Sequence, residues 1–199
     1  MTTRQLARVA LLVTIVVGAQ ARFLAYLPGD VAVERLIQAL SPGTGWVAPM
    51  IRTASAPVSY ILMAIAVLGA WRLAGTRAAL VVAGAIVIEQ TFGEMSKGIF
   101  GRPRPSRSLV AVMGNPTGLS FPSTFMTLYS VTVGSLVVLA WRLKRSPLRA
   151  AVIVAGVAVL ALAACARIVP GAHWPSDVVG TVAICLSWIA VAFAAAGVP

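Results

Sequence analysis

The chain has few charged residues for its length, and very few of them are acidic. Of 199 residues, 11% are charged, five are Asp or Glu, and 59% are hydrophobic. Soluble domains carry about 25% charged residues, so this composition excludes a disordered chain and an ordinary cytosolic enzyme. Two cysteines, Cys165 and Cys185, are too few for a secreted disulfide scaffold. The class that remains is a polytopic membrane protein.

Histidine is also scarce, because His173 is the only one in the chain. One histidine with scattered carboxylates is a poor ligand set for a metal ion, so we expect no metal site. The net charge of +11 is typical of nucleic-acid binding. Here, however, the basic residues lie between apolar stretches, and we expect no nucleic-acid partner.

Six apolar stretches are each long enough to cross a membrane as a helix, which takes about 20 residues. They lie at about 6–27, 54–71, 78–97, 124–141, 150–168 and 177–197. The sequence therefore predicts an all-α fold in which six transmembrane helices form one bundle, with residues 1–199 as a single domain. Between the first two stretches, residues 28–53 form either a plain loop or a short helix at the membrane surface.

Basic residues collect at one end of the predicted bundle, in segments that contain no acid. They are Arg4, Arg8, Arg72, Arg77, Arg142, Lys144, Arg145 and Arg149. Loops rich in Lys and Arg face the cytoplasm, so we expect both termini inside and the loops 98–123 and 169–176 outside. Arg in preference to Lys, with abundant Ala, Gly and Val, favours a bacterial source and hence the cytoplasmic (inner) membrane.

A second group of polar residues lies at the opposite end, where charge bias does not explain it. Lys97 ends the third stretch, Arg102 and Arg104 follow it, and Arg167 ends the fifth. Arg offers a planar fork that matches phosphate, and Lys adds a compact positive charge. The turn 122–124 opens the fourth helix, whose first N–H groups are free to bind an anion. Together they predict a phosphate site, although each part alone also fits a surface anchor or a helix cap.

His173 is followed four residues later by Asp177, at the start of the sixth stretch. The carboxylate is placed to accept a hydrogen bond from one ring nitrogen, which leaves the other nitrogen free to attack phosphorus. A histidine beside a helix start also occurs as a purely structural feature. Beside a phosphate site, the pair predicts a nucleophile that forms a phosphohistidine.

These residues resemble the type 2 phosphatidic acid phosphatase family, within the lipid phosphatase and haloperoxidase superfamily. The family's pattern is K-x6-R-P, then P-S-G-H, then S-R-x5-H-x3-D. Lys97, followed after six residues by Arg104-Pro105, completes the first motif. The resemblance covers about residues 54–197, and the six-helix count fits the family.

The third motif keeps its spacing through Arg167, His173 and Asp177, and only its leading Ser is replaced, by Ala166. The resemblance implies an enzyme that needs no metal or other cofactor. It implies that phosphate is bound by Lys97, Arg104, Ser123, Thr124 and Arg167, that His173 is the nucleophile, and that Asp177 orients it. Arg102 and Glu94 are candidate auxiliary residues.

The middle motif departs from the pattern, because Thr124 and Phe125 stand where the family has Gly and His. In the family that His is the general acid that protonates the leaving oxygen, and Phe125 cannot donate a proton. Two neighbours are candidate substitutes. Glu94 lies one turn before Lys97, with which it alternatively pairs, and Tyr129 lies one turn beyond Phe125.

The missing acid bears on the substrate, because general acid catalysis contributes about 10²–10⁴-fold. An alkoxide leaving from a phosphate monoester depends strongly on that proton. A phosphate leaving from a pyrophosphate needs it much less, since its second pKa is about 6. We therefore expect a polyprenyl pyrophosphate to be preferred over phosphatidic acid.

The leading hypothesis is a membrane hydrolase of phosphoric esters or anhydrides that acts on a lipid phosphate or pyrophosphate at the extracytoplasmic face. Two alternatives stay open. One is a non-catalytic relative that binds phospholipid headgroups or a partner protein. The other is a phosphotransferase that passes the phosphoryl group to an acceptor other than water. No residue pattern indicates an oligomeric state.

Overall fold

The computed structural model describes residues 1–41 and 43–198, and over those ranges it contains helices and no strand. The helices are α1 (Thr3–Phe23), α2 (Asp30–Leu40), α3 (Val47–Arg52), α4 (Val58–Phe100), α5 (Thr124–Tyr129), α6 (Ser135–Arg142), α7 (Pro147–Ile168) and α8 (Pro175–Ala195). A five-residue π-helical segment, Ser130–Gly134, joins α5 to α6. The predicted all-α fold is confirmed.

Five helical stretches in the described ranges are long and apolar enough to cross a bilayer. They are Thr3–Phe23, Val58–Phe100, Thr124–Arg142, Pro147–Ile168 and Pro175–Ala195. Four of them match the first, fourth, fifth and sixth predicted stretches. The second and third predicted stretches both fall within α4, which is 43 residues long.

α4 is broken at Gly75, whose φ of +80° lies outside the helical region and favours glycine. Before the break, Gly69 faces the side chain of Leu136. After it, Gly93 faces the side chain of Thr124. The two glycines are about 36 Å apart along a straight helix, whereas their partners are about 18 Å apart along α5–α6. A chain that reverses at Gly75 satisfies both contacts, so α4 is a helical hairpin, and the count of six spans stays a prediction.

The segment between α1 and α4 contains the helices α2 and α3 rather than a plain loop, and α2 supports the long loop 101–123. Gln38 Nε2 donates a hydrogen bond to the carbonyl oxygen of Ala111 at 2.8 Å. The Met113 N–H donates to the carbonyl oxygen of Pro170 at 2.8 Å, which joins this loop to the α7–α8 loop. α2 and the two loops thus meet at one end of the bundle, where the predicted site residues lie.

Gly171 lies at the contact between the two loops and tolerates no side chain. Its φ is +66°, and an added Cβ would overlap the carbonyl oxygen of Ala111. A positive φ costs a residue other than glycine about 1–3 kcal/mol, and we expect Gly171→Ala to lower the free energy of unfolding by more than that. The thermal unfolding midpoint in detergent measures the effect.

Gly118→Ala is the matched control for this substitution. Gly118 has a φ of +74°, but no atom lies within 4 Å of the position an added Cβ would take. We therefore expect a smaller fall in its midpoint. Equal falls for the two variants would contradict the clash with the Ala111 backbone.

Candidate active site

His173 lies in the loop between α7 and α8 and is 2% exposed. Its Nε2 is 3.3 Å from Nη1 of Arg104. Because a guanidinium only donates hydrogen bonds, Nε2 acts here as the acceptor. A neutral ring then carries its proton on Nδ1. This tautomer leaves the Nε2 lone pair as the nucleophilic position.

Burial and nearby positive charges keep the His173 ring neutral. Burial is the larger cause, and the charges of Arg167, Arg104 and Lys97 add to it, so that the pKa of His173 lies well below the ordinary value of 6.5. The neutral imidazole is the form that attacks phosphorus. The site therefore places the predicted nucleophile in its reactive protonation state at neutral pH.

We expect His173 to stay neutral as the pH is lowered through 6.5, where an ordinary histidine takes up a proton. Its lowered pKa moves protonation to more acidic pH. Because His173 is the only histidine, protein labelled with ¹⁵N-histidine gives the signals of one imidazole, and their shifts between about pH 8 and about pH 5 follow its charge. A titration midpoint at or above 6.5 would contradict the lowering of the His173 pKa by burial and nearby positive charges.

Asp177, in the first turn of α8, is fully buried beside the His173 ring. Its Oδ2 accepts hydrogen bonds from the Trp174 N–H at 3.0 Å and from the Ser120 hydroxyl. Its Oδ1 accepts from Nη1 of Arg102 at 2.6 Å. Nδ1 of His173 lies 4.0 Å from Oδ2, beyond hydrogen-bond distance. The carboxylate is therefore adjacent to the ring, as the spacing predicts, but the expected hydrogen bond is not made in this structure.

Arg104 contacts the His173 ring, and Arg167 lies near enough for its charge to lower the pKa of His173. Arg104 Nη1 also donates to the carbonyl oxygen of Ala172 at 2.6 Å. Arg167 places its guanidinium 5.4 Å from the ring centre of Phe125. Its Nε is buried and has no hydrogen-bond partner among the described residues. A buried donor without a partner costs free energy, and an anion bound beside His173 would supply the missing acceptor.

Lys97 forms an ion pair with Glu94 in this structure. This pairing is the alternative role that the sequence predicts for Glu94. The Nζ of Lys97 lies 2.8 Å from Oε1 of Glu94. The same oxygen accepts a hydrogen bond from the Thr124 hydroxyl at 2.8 Å. Glu94 thus connects two predicted phosphate ligands from an exposed position, where an ion pair contributes about 0–1 kcal/mol. An incoming phosphate can displace so weak a partner.

Ser123 uses its hydroxyl and its N–H to hold the turn that opens α5. Its hydroxyl accepts from the Met126 N–H at 3.4 Å. Its own N–H donates to the Thr181 hydroxyl at 3.1 Å. The Thr181 hydroxyl in turn donates to the backbone carbonyl of Asp177 at 2.7 Å. Ser123 therefore links the start of α5 to the start of α8.

The two candidate substitute proton donors, Tyr129 and Glu94, form hydrogen bonds with other residues, and Phe125 itself is apolar. Phe125 is buried and stacks on Tyr129, with ring centres 4.9 Å apart. The Tyr129 hydroxyl forms a 2.5 Å hydrogen bond with the hydroxyl of Thr53. Glu94 is the acceptor for Lys97 and Thr124. The position of the family's general acid is thus filled by an apolar ring.

The family model of the PAP2 superfamily matches residues 76–197, which is more than half of the chain. This chain belongs to the PAP2 superfamily. The resemblance stated from the motifs is confirmed. The range contains every residue predicted to act in the site, whereas α1 and α2 lie outside it.

A solved PAP2 structure has a similar fold. It is the first transmembrane PAP2-type phosphatidylglycerolphosphate phosphatase from Bacillus subtilis, 19% identical, with a TM-score of 0.66 over 90% of each chain. The likeness establishes that this PAP2 protein has a multi-pass transmembrane fold. No curated protein matches the chain.

Two residues of the PAP2 site escape sequence reasoning. Ser120 donates to Asp177, and its only signal is its place in the turn that precedes Ser123. Asp30, from α2, accepts from Arg102 and from Ser176. Nothing in the sequence indicates Asp30, because it lies outside the motifs and far from Asp177 along the chain.

Proposed function

We propose that this PAP2 protein is a membrane phosphatase that hydrolyses a lipid pyrophosphate, such as a polyprenyl pyrophosphate, in preference to a lipid phosphate monoester. One observation carries the preference. Phe125 packs its ring against the Arg167 guanidinium, where the family's pattern has the general acid. The cations and the nucleophile are retained while the donor for the leaving oxygen is absent from its usual position.

The reaction proceeds in two steps. Nε2 of His173 attacks the terminal phosphorus, an N–P bond forms, and the bond from phosphorus to the bridging oxygen breaks. The electron pair leaves on that oxygen, which becomes a terminal oxygen of the lipid monophosphate. Nδ1 keeps its proton, so the phosphorylated ring is positively charged and is stabilised by the neighbouring Asp177 carboxylate.

Water completes the cycle by attacking the phosphohistidine. The N–P bond breaks and its electrons return to Nε2, which restores the neutral ring. One proton of the water stays on the released inorganic phosphate and the other passes to solvent. Lys97, Arg104 and Arg167 balance the charge on the phosphoryl oxygens in both steps.

The leaving group decides how much the absent acid matters. A departing phosphate carries its charge stably at neutral pH, because its second pKa is about 6. A departing alkoxide does not, and loses the about 10²–10⁴-fold that a general acid supplies. With Phe125 in place, the pyrophosphate is therefore the substrate that this site is equipped to cleave.

The site is proposed to face the extracytoplasmic side, because the eight basic residues of the acid-free segments lie at the opposite end of the bundle. Cysteines introduced one at a time at Arg107 and Arg145, in a variant whose own Cys165 and Cys185 are replaced by Ala, test this in intact cells with a membrane-impermeant thiol reagent. Position 107 is expected to react and position 145 is not. Reaction at position 145 alone would reverse the orientation.

Inorganic phosphate release by the purified protein in detergent tests the function. The substrates are a polyprenyl pyrophosphate and phosphatidic acid, and the His173→Ala variant is the blank. We expect release from both, with kcat/KM about 10²-fold higher for the pyrophosphate. A higher kcat/KM for phosphatidic acid would refute the leaving-group argument.

One observation favours a second candidate, a PAP2 relative that binds lipid phosphates without turnover. His173 is buried, and its Nε2 is covered by Arg104 in this structure. A binding protein would release no phosphate from either lipid, and its affinity for lipid phosphate would survive His173→Ala. An enzyme would release phosphate once substrate draws Arg104 away from Nε2.

A further inference from the structure

Arg102 is buried although it lies in the loop that follows α4, and its side chain is 2% exposed. The sequence suggests an auxiliary phosphate ligand, but the side chain contacts carboxylates instead. Nη1 lies 2.6 Å from Oδ1 of Asp177, and Nη2 lies 3.3 Å from Oδ2 of Asp30. Nη1 also donates to the Ser176 hydroxyl at 3.0 Å, and Nε to the carbonyl oxygen of Ala25 at 3.3 Å.

We propose that Arg102 is a positioning residue, which holds one carboxylate oxygen of Asp177 so that the other faces Nδ1 of His173. The proposal rests on the proposed function, in which His173 is the nucleophile. Arg102 touches neither the imidazole nor the cations around it, and it acts through Asp177.

The hydrogen bonds of Asp177 divide its two oxygens between two tasks. Oδ1 is held by Arg102. Oδ2 is held by Ser120 and by the N–H of Trp174, and it is the oxygen that lies 4.0 Å from Nδ1 of His173. The carboxylate cannot rotate without breaking the ion pair with Arg102. A small movement of the ring on substrate binding then suffices to form the bond from Nδ1 to Oδ2.

Charge balance gives Arg102 a second contribution. Its positive charge faces two buried carboxylates, Asp177 and Asp30. Glu34, also on α2, is buried near both, and its pKa is raised to about 8 by burial and by their negative charges, so it carries a proton at neutral pH. His173 is neutral, and the more distant Arg104 is engaged with the phosphate site. Removing Arg102 would leave two buried carboxylates without a contacting cation, which is strongly unfavourable.

Asp30 separates positioning from a purely structural role. It accepts from the Ser176 N–H at 2.9 Å and from the Ser176 hydroxyl at 2.6 Å, which ties α2 to the first turn of α8. Asp30→Asn weakens this tie but leaves the contact between Arg102 and Asp177. If Arg102 serves only to hold α2 on α8, the two residues should be equally sensitive to substitution.

The single histidine allows a direct test in the full-length protein. The ¹⁵N signals of His173 report which nitrogen carries the proton. They are recorded at neutral pH in an Arg104→Met background, where no guanidinium donates to Nε2, for the otherwise unchanged chain and with Arg102→Met or Asp30→Asn added. In this background we expect the Nδ1–H tautomer in the otherwise unchanged chain and with Asp30→Asn, and a mixture of tautomers with Arg102→Met. We also expect kcat on the pyrophosphate to fall about 10- to 100-fold in Arg102→Met alone, with KM unchanged, by analogy with residues that orient the ligands of a metal ion.

Two further variants keep the test decisive. Arg107→Gln removes an exposed arginine from the same loop, whose guanidinium contacts the carbonyl oxygen of Gly114, and is expected to match wild type. Arg102→Lys keeps the charge but lacks the fork that reaches both carboxylates. Arg102→Lys is expected to fold and to show a smaller tautomer change than Arg102→Met. It carries the test if Arg102→Met does not fold.

Three results would overturn the proposal. A pure Nδ1–H tautomer in both Arg102 variants would show that Asp177 needs no support. A raised KM with unchanged kcat would make Arg102 a phosphate ligand. Equal damage by Asp30→Asn would make it a structural tie. The NMR measurement needs no turnover, so a wild type that releases no phosphate refutes the proposed function while the tautomers still decide the role of Arg102.

Discussion

His173→Ala is expected to abolish phosphate release, with kcat on the pyrophosphate lowered by about 10⁴-fold or more, as when a covalent nucleophile is removed from other hydrolases. The alanine variant has no atom that can form the N–P bond. Water would have to attack the phosphorus directly, without the covalent step that the imidazole provides. Release of inorganic phosphate in detergent, followed to single turnover, measures the loss.

A trapped intermediate separates loss of chemistry from loss of structure. Wild type quenched during turnover is expected to carry acid-labile phosphate, and the variant none. The variant is still expected to bind inorganic phosphate within about tenfold of wild type, because Lys97, Arg104 and Arg167 remain. A variant that kept a tenth of the wild-type rate would rule out His173 as the nucleophile.

Phe125→His is expected to raise kcat/KM on phosphatidic acid by about 10²-fold, the low end of what general acid catalysis contributes. The new imidazole would stand where the family's pattern has its acid. The gain stays at the low end because the charge of Arg167, now 5.4 Å from the Phe125 ring centre, opposes protonation of a ring there. Hydrolysis of the pyrophosphate is expected to change little, since its leaving phosphate departs without being protonated.

The comparison requires a variant that opens the site without adding a proton donor. Phe125→Leu removes the stacking on Tyr129 and the contact with Arg167 but brings no ionisable group. It is expected to leave the ratio of the two substrates unchanged. An equal rise on phosphatidic acid in both variants would mean that space, rather than the proton, limits the monoester.

The helices were predictable because the apolar stretches are long and end in charged residues or turns. The boundary between the second and third stretches falls at the observed break at Gly75. The two separate stretches predict a reversal between residues 71 and 78, but the apolar pattern does not show which residue breaks the helix. α2 was ambiguous because it carries two acidic residues, Asp30 and Glu34. Acidic residues are typical of exposed loops, and the sequence does not show that these two are buried.

The site residues were predictable where their spacing along the chain follows a motif. Lys97, Arg104, Arg167, His173 and Asp177 follow a pattern that needs no knowledge of loop geometry. The direction of Arg102 was not predictable, because a phosphate and a carboxylate attract a guanidinium alike and only the fold decides which is near. The contact with Asp30 depends on how α2 packs, and that information is spread over many weak apolar preferences.

The contacts of α1 and α2 mean that the segment matched by the family model is shorter than the segment that packs around the site. Asp30 lies before residue 76, where the family match begins. On α8, Gly180 gives α1 a close approach, because an added Cβ would meet Val17. A protein trimmed to residues 76–197 would leave Arg102 with one carboxylate and would uncover the surface of α8 around Gly180. Substitutions that lower activity should therefore also occur among the first 75 residues, which contain none of the motif residues.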